Sequence, residues 1–201
     1  MLNRRVFLTA AATAAVLPVV GARAQDPVML PDMVLGDADA PIEIIEYASM
    51  TCSHCAAFHK ETLPKLKMRY IDTGRARLVF REFPLDRVAL AASAIARCSG
   101  EERFFPLVDV LFQTQDQWAR SDDPIGAIEQ IIRMGGQDPA FVSACLEDQE
   151  IINGILAIRL DGSNQYEISA TPTFIVNGEK TAGNMSFEAF DELLRNIEGN
   201  V

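Results

Sequence analysis

An α/β domain interrupted by an all-helical subdomain is the fold class that these 201 residues predict, and three observations carry it. The run Ile42-Glu43-Ile44-Ile45-Glu46-Tyr47-Ala48 reads as a buried strand, a helical stretch follows, and Arg77-Leu78-Val79-Phe80-Arg81-Glu82-Phe83 alternates as a second strand. From Asp86 to about Tyr166 the strand signals vanish and helical patterns take over. Strands return at Thr173-Phe174-Ile175-Val176, ahead of an Asn177-Gly178 hairpin turn. The α/β part is therefore expected at 41–85 and 167–201, with the helical insertion at 86–166. A hydrophobic content of 49% is ample for a packed core. The formal charge of −10, with no basic stripe, argues against nucleic-acid binding.

The chain opens on a targeting segment. Arg4 and Arg5 supply a positive region, residues 6–20 are nearly all apolar or small, and Ala22-Arg23-Ala24 is a cleavage signal. Residues 1–24 are expected to be a signal peptide, leaving a mature chain from Gln25. The apolar core, about 15 residues, is short for a membrane span, which needs about 20. Arg4-Arg5 before Val6-Phe7-Leu8 also resembles a twin-arginine export signal, with Asn3 in place of the usual hydroxyl residue, so either export route is open. Without these residues the chain keeps 15 basic against 28 acidic residues, a charge of −13. The expected destination is the periplasm, an oxidising compartment that permits disulfides.

Residues 25–40 hold Pro27, Pro31 and Gly36 among scattered acids and read as an extended lead-in with one edge strand at 32–35, too short for a separate dimerisation domain. After the strand at 42–48 come Thr51-Cys52-Ser53-His54-Cys55 and a helix running to about Asp72. Pro64 inside that helix removes a hydrogen bond and crowds the carbonyl of Lys60, so a kink is expected there. Gly74 ends the helix, and the next strand completes a right-handed β-α-β unit. His59, four residues beyond Cys55, reads as a helix-surface residue without a catalytic role. Glu46, six residues before Cys52, is open to two readings: a solvent-facing carboxylate at a strand edge, or a buried proton acceptor for Cys55 beneath the active-site sulfurs.

The insertion shows helical patterns at 87–98, 102–115, 124–134, 139–147 and 149–164, punctuated by Ser99-Gly100, Ser121-Asp122-Asp123 and Gly135-Gly136. It carries Cys98 and Cys145. An even cysteine count in an exported protein favours a structural disulfide between them, with buried free thiols as the alternative. Beyond it, Thr171-Pro172 precedes the returning strand. It reads either as an ordinary edge-strand start or as a cis bond that turns the Thr171 backbone toward the active site, where it can pair with an extended substrate. Ser186 caps a last helix at 187–197.

Cys52-Ser53-His54-Cys55 sits where the first strand gives way to the helix, and a C-x-x-C pair at such a junction is a thioredoxin-like redox signature. The first cysteine meets unpaired backbone N–H groups carrying about +0.5 charge, so its thiolate is favoured. A thiol held below the free value of about 8.5 is both a ready nucleophile and a good leaving group. His54 adds a positive or hydrogen-bonding group beside that sulfur. Two other readings compete. Cys52, Cys55 and His59 give a metal site three ligands where zinc takes four, and a purely structural disulfide over so short a loop would stabilise little.

The strand, Cys52-Ser53-His54-Cys55 and its helix, Glu46 upstream, the helical insertion and the late Ala170-Thr171-Pro172-Thr173-Phe174 together resemble the DsbA family of exported thiol-disulfide oxidoreductases, over about residues 40–198. Phe58-His59-Lys60-Glu61-Thr62-Leu63-Pro64 resembles the long first helix of such proteins, and Cys98 with Cys145 resembles an alphaproteobacterial subgroup with a second disulfide. The resemblance implies a thioredoxin-like fold, Cys52 as nucleophile, Cys55 as the resolving thiol and Glu46 as its proton acceptor. It also implies substrate pairing at Thr171 and Pro172. Reduced or unfolded exported proteins are the expected substrates, a quinone-linked membrane protein of DsbB type the expected reoxidant, and a monomer the expected state. No metal or organic cofactor is implied. Ser53 departs from the proline of the best-known members, which bears on the potential. A reductase or isomerase on the same fold is the principal alternative.

Overall fold

The computed structural model describes residues 29–199 apart from 139 and 184, so the expected signal peptide at 1–24 lies outside the described residues. Five strands, β1 Met33–Leu35, β2 Ile42–Ala48, β3 Ala76–Glu82, β4 Thr173–Val176 and β5 Glu179–Ala182, form one sheet in the order β1-β3-β2-β4-β5. β2 and β3 are parallel; every other neighbouring pair is antiparallel. A parallel pair requires a crossover, and helix α1 (53–71) supplies it.

The central strands are apolar on both faces because both faces are covered. Ile44, Leu78, Phe174 and Val176 pack under α1 and the last helix, α8 (Phe187–Glu198). Ile45, Tyr47, Val79 and Ile175 pack on the other side against Ile158 of α7 (Gln149–Tyr166). That helix comes so close that a Cβ on Gly162 would lie 2.5 Å from the Tyr47 ring. The β4–β5 turn places both Asn177 (φ 46°) and Gly178 (φ 88°) in the left-handed region, the conformation whose twist suits a two-residue hairpin.

The kink expected at Pro64 takes the form of a wide turn. The Leu63 N–H reaches back five residues to the Phe58 carbonyl rather than four to His59, and this π-helical turn, Phe58–Thr62, delivers the chain to Pro64 with the ladder already offset. A second wide turn, Lys67–Ile71, closes α1, and Gly74 (φ 70°) ends it.

The insertion comprises α2 (Arg87–Cys98), α3 (Glu101–Gln113), α4 (Gln115–Trp118), α5 (Pro124–Met134), α6 (Ala140–Glu147) and α7. The single helix expected at 102–115 is two, divided at Thr114. Phe104, Val108, Leu111, Phe112, Trp118, Ile128 and Ile132 form its core, which is continuous with Met50, Cys55 and Phe80 of the α/β part. The insertion is therefore fused to the redox end of the sheet, and its last helix is a layer of the α/β domain itself. Cys98 and Cys145 are joined in a disulfide, Cα–Cα 5.7 Å, linking α2 to α6. One residue earlier, Arg97 grips Glu82 at the end of β3 through two bonds of 2.6 and 2.7 Å, both side chains being buried. Among the described residues no helix is long and apolar enough to cross a membrane.

Candidate active site

β2 delivers the chain to a short loop that is fastened from both parts of the molecule. The Cys52 N–H donates to the Ser49 carbonyl (3.0 Å), and the Thr51 hydroxyl to Asp86 (2.6 Å), whose other oxygen caps α2 through the Ala89 N–H. From α4, the Gln115 amide donates to the carbonyls of Met50 (2.8 Å) and Cys52 (3.0 Å). The sulfur thus projects from a loop with little freedom to shift.

Cys52 stands at the start of α1 in extended backbone, φ −78° and ψ 121°. Four other helices begin on an oxygen that takes a first-turn N–H: Asp86, Asp123, Asp148 and Ser186. α1 has no such oxygen. The backbone N–H groups of Cys55 and His54 serve the Cys52 sulfur instead, so a thiolate is favoured where those four helices keep a capping oxygen. With both thiols free in this structure, the Cys52 thiol is pulled down to about 5. The largest cause is the hydrogen bond from the Cys55 thiol; partial burial opposes it, and Thr171 and the two backbone N–H groups add to it. The Cys55 thiol is pushed the other way, well above its ordinary value. Its burial is the first cause, followed by the bond to Cys52 and the Glu46 charge. One sulfur is half-buried and easily ionised, while its neighbour is enclosed and protonated.

Thr171-Pro172 is a cis bond, and the Thr171 carbonyl accepts from the Cys52 Sγ at 3.3 Å. The Thr171 hydroxyl is buried without a hydrogen-bond partner while Cys52 is a thiol. An ionised sulfur has no proton to give the carbonyl, and this hydroxyl is then a donor able to turn to it, the sense in which Thr171 lowers the Cys52 value. Thr171, just ahead of β4, thus meets Cys52 directly, with the cis bond to Pro172 leading into the strand.

Glu46 and His59 stand differently from the surface readings. Glu46 is fully buried, which removes the solvent-facing alternative. His59 is 2% exposed and is not a helix-surface residue: the wide turn of α1 points its ring inward, with Nε2 3.0 Å from Glu46 Oε2. The reason is non-local, since a carboxylate enclosed in a sheet needs a partner and the helix above offers one. His59 is consequently spent on Glu46, and Cys52, Cys55 and His59 do not gather as metal ligands; no such cluster of three exists among the described residues. The His54 side chain is exposed, and its contribution at the sulfur is its backbone N–H. Gln115 escaped sequence reading, because nothing local marks a glutamine in a helix as buried, and Asp86 was read only as the point where the helical insertion begins.

A dithiol at a strand-to-helix junction, faced by a cis-proline on an antiparallel neighbour strand, defines a thioredoxin-fold redox protein. A thioredoxin family model matches residues 29–196. The crystal structure of alpha-DsbA1 from Wolbachia pipientis superposes with a TM-score of 0.79 at 32% identity, covering 85% of this chain and 93% of that one. That of DsbA from Chlamydia trachomatis gives 0.74 at 18% identity, a likeness of fold, over 88% and 97%. A Rickettsia bellii protein named as a protein-disulfide oxidoreductase is 38% identical over 151 residues, 75% of this chain. This chain spans 58% of that relative's length. The chain belongs to the thioredoxin family, in its DsbA branch.

Proposed function

We propose that the protein is an exported thiol-disulfide oxidoreductase that introduces disulfide bonds into reduced proteins by exchange through Cys52 and Cys55. One observation carries the reading: two sulfurs of one short motif are driven apart in acidity, Cys52 down to about 5 and Cys55 up. A thiolate stabilised in the reduced protein makes reduction of the disulfide favourable, so the oxidised pair is an oxidant. In the forward reaction a substrate thiolate attacks the Cys52 sulfur of the oxidised pair. The Cys52–Cys55 bond breaks, a mixed disulfide forms on Cys52, and Cys55 leaves with the electron pair and takes up a proton. A second substrate thiolate then attacks the substrate sulfur of the mixed disulfide and expels Cys52 as thiolate. The substrate loses two electrons and the enzyme gains them. The Thr171 backbone, beside Cys52 at the end of β4, suits an extended substrate strand.

Export to the periplasm is supported by the sequence of residues 1–24, and reoxidation by a membrane protein of DsbB type is the partner reading that goes with it. The reaction is tested by mixing oxidised protein with a reduced two-cysteine peptide, where rapid peptide oxidation is expected. The potential against glutathione sets the direction: a value near that of thioredoxin, about −270 mV, would make the protein a reductase. Sequencing the N-terminus of protein recovered from the periplasm checks the processing after Ala24.

A further inference from the structure

Cys55 is enclosed, and its proton has no direct way to water. Glu46, whose charge acts on Cys55, keeps one oxygen, Oε1, buried without a hydrogen-bond partner and gives the other to His59. The far side of the pair is not sealed. His59 forms part of the wall of a cavity of about 370 Å³ between α1 and α3, lined also by Leu35, Leu63, Pro64 and Phe105 and flanked by Lys67 and Asp109. The imidazole also packs against the rings of Phe58, Phe80 and Phe112, with centroids 5.6, 5.9 and 4.3 Å away. The charged groups facing the pair are thus Lys67 of α1 and Asp109 of α3 across the cavity, with the two thiols on the Glu46 side. An imidazole so placed has one nitrogen on the buried acid and borders a space that small molecules can enter.

We propose that His59 is the outlet of a proton path, Cys55 to Glu46 to His59 to the cavity, used when Cys55 resolves a mixed disulfide on Cys52. The path rests on the exchange reaction proposed above. Cys55 gives its proton to the Glu46 carboxylate, and its thiolate attacks the Cys52 sulfur. The Cys52–Cys55 bond forms, the bond from Cys52 to the partner sulfur breaks, and the partner leaves as a thiolate. Paired with the Glu46 carboxylate, the His59 imidazolium holds Nε2–H on Oε2; when Glu46 takes the Cys55 proton on its open oxygen Oε1 and becomes neutral, the Nδ1 proton of His59 leaves for the cavity, and both transfers reverse when Cys55 is next reduced. No electrons move beyond those of the exchange. His59 touches neither sulfur and acts only through Glu46.

The test follows resolution separately from the first attack. Reduced protein is mixed with oxidised glutathione, and quenched samples are read by mass for the Cys52 adduct and its disappearance. His59→Gln retains a hydrogen-bonding group for Glu46 but cannot take a proton, so resolution at pH 7 is expected to slow on the order of tenfold or more while adduct formation is unchanged. In His59→Ala, imidazole added to the buffer enters the enlarged cavity and restores the lost rate. Unslowed resolution in the glutamine variant, or an alanine variant that is slow and indifferent to imidazole, overturns the outlet. If the alanine variant does not fold, the glutamine variant's pH profile decides: a flattened dependence supports the path, and a parallel offset from wild type overturns it. Sluggish adduct formation in the wild type is a different result and counts against the exchange reaction itself.

Discussion

Two cysteine pairs share this chain, and their surroundings differ in what governs thiol chemistry. Cys52 and Cys55 lie in the first turn of a helix, one sulfur served by backbone N–H groups and the other enclosed beside a buried carboxylate. Cys98 and Cys145 are 47 residues apart, at the end of α2 and within α6, packed among apolar side chains of the insertion core. The first pair is asymmetric, because one member is stabilised as an anion and the other is not. The second is already joined, and the bond ties two helices of the insertion together. Asymmetry of charge, more than the presence of two adjacent thiols, separates a pair built to exchange from one built to hold.

The sharpest way to break that comparison is to remove one sulfur from each side. Cys52→Ser is expected to abolish oxidation of a reduced two-cysteine peptide, whereas Cys98→Ala with Cys145→Ala should leave the initial rate within about twofold, since neither sulfur takes part in the exchange. The double variant should instead lose stability. For a loop closed across 47 residues the chain-entropy model gives about 4 kcal/mol, to be read as a lower midpoint in urea unfolding. Comparable loss of peptide oxidation in both variants would collapse the distinction.

A titration sharpens it further. Thiolate absorbance in the ultraviolet, or the rate of Cys52 alkylation, should show a midpoint at about 5. Stability of the reduced protein follows. The folded value lies below the ordinary one near 9, so ionisation of Cys52 contributes fully above pH 9, declines through the interval and is lost as the pH falls through about 5. Cys55, raised in the fold, works in the opposite sense only above pH 9. The thermal midpoint of the reduced protein should therefore rise relative to that of the oxidised protein between pH 5 and pH 9. A gap that does not change with pH contradicts the assignment. The smallest effect is expected from Thr171→Val, which keeps the carbonyl at Cys52 and deletes the hydroxyl. The Cys52 midpoint should move upward by less than about one unit, the size of one contribution among several.

Much of this was legible in the order of residues. The β-branched runs, Asn177-Gly178, Gly74 and the cap at Ser186 are local signals and fell where the elements begin and end. Cys52 and Cys55 were legible because their chemistry is set within one turn of helix. His59 was not. Its inward position depends on a wide turn forced ahead of Pro64 and on Glu46, thirteen residues back on a strand underneath, and neither leaves a periodic trace. The division at Thr114 was hidden for a related reason, since the polar run into Gln115 continues a helical pattern while the backbone turns to bring Gln115 beneath the redox loop.

That glutamine has a mechanical consequence. Its amide clamps two carbonyls, those of Met50 and Cys52 on either side of Thr51, to a helix that belongs to the insertion. The peptide that carries the nucleophile is thus anchored to the inserted lobe as well as to the sheet, so its placement depends on both being folded.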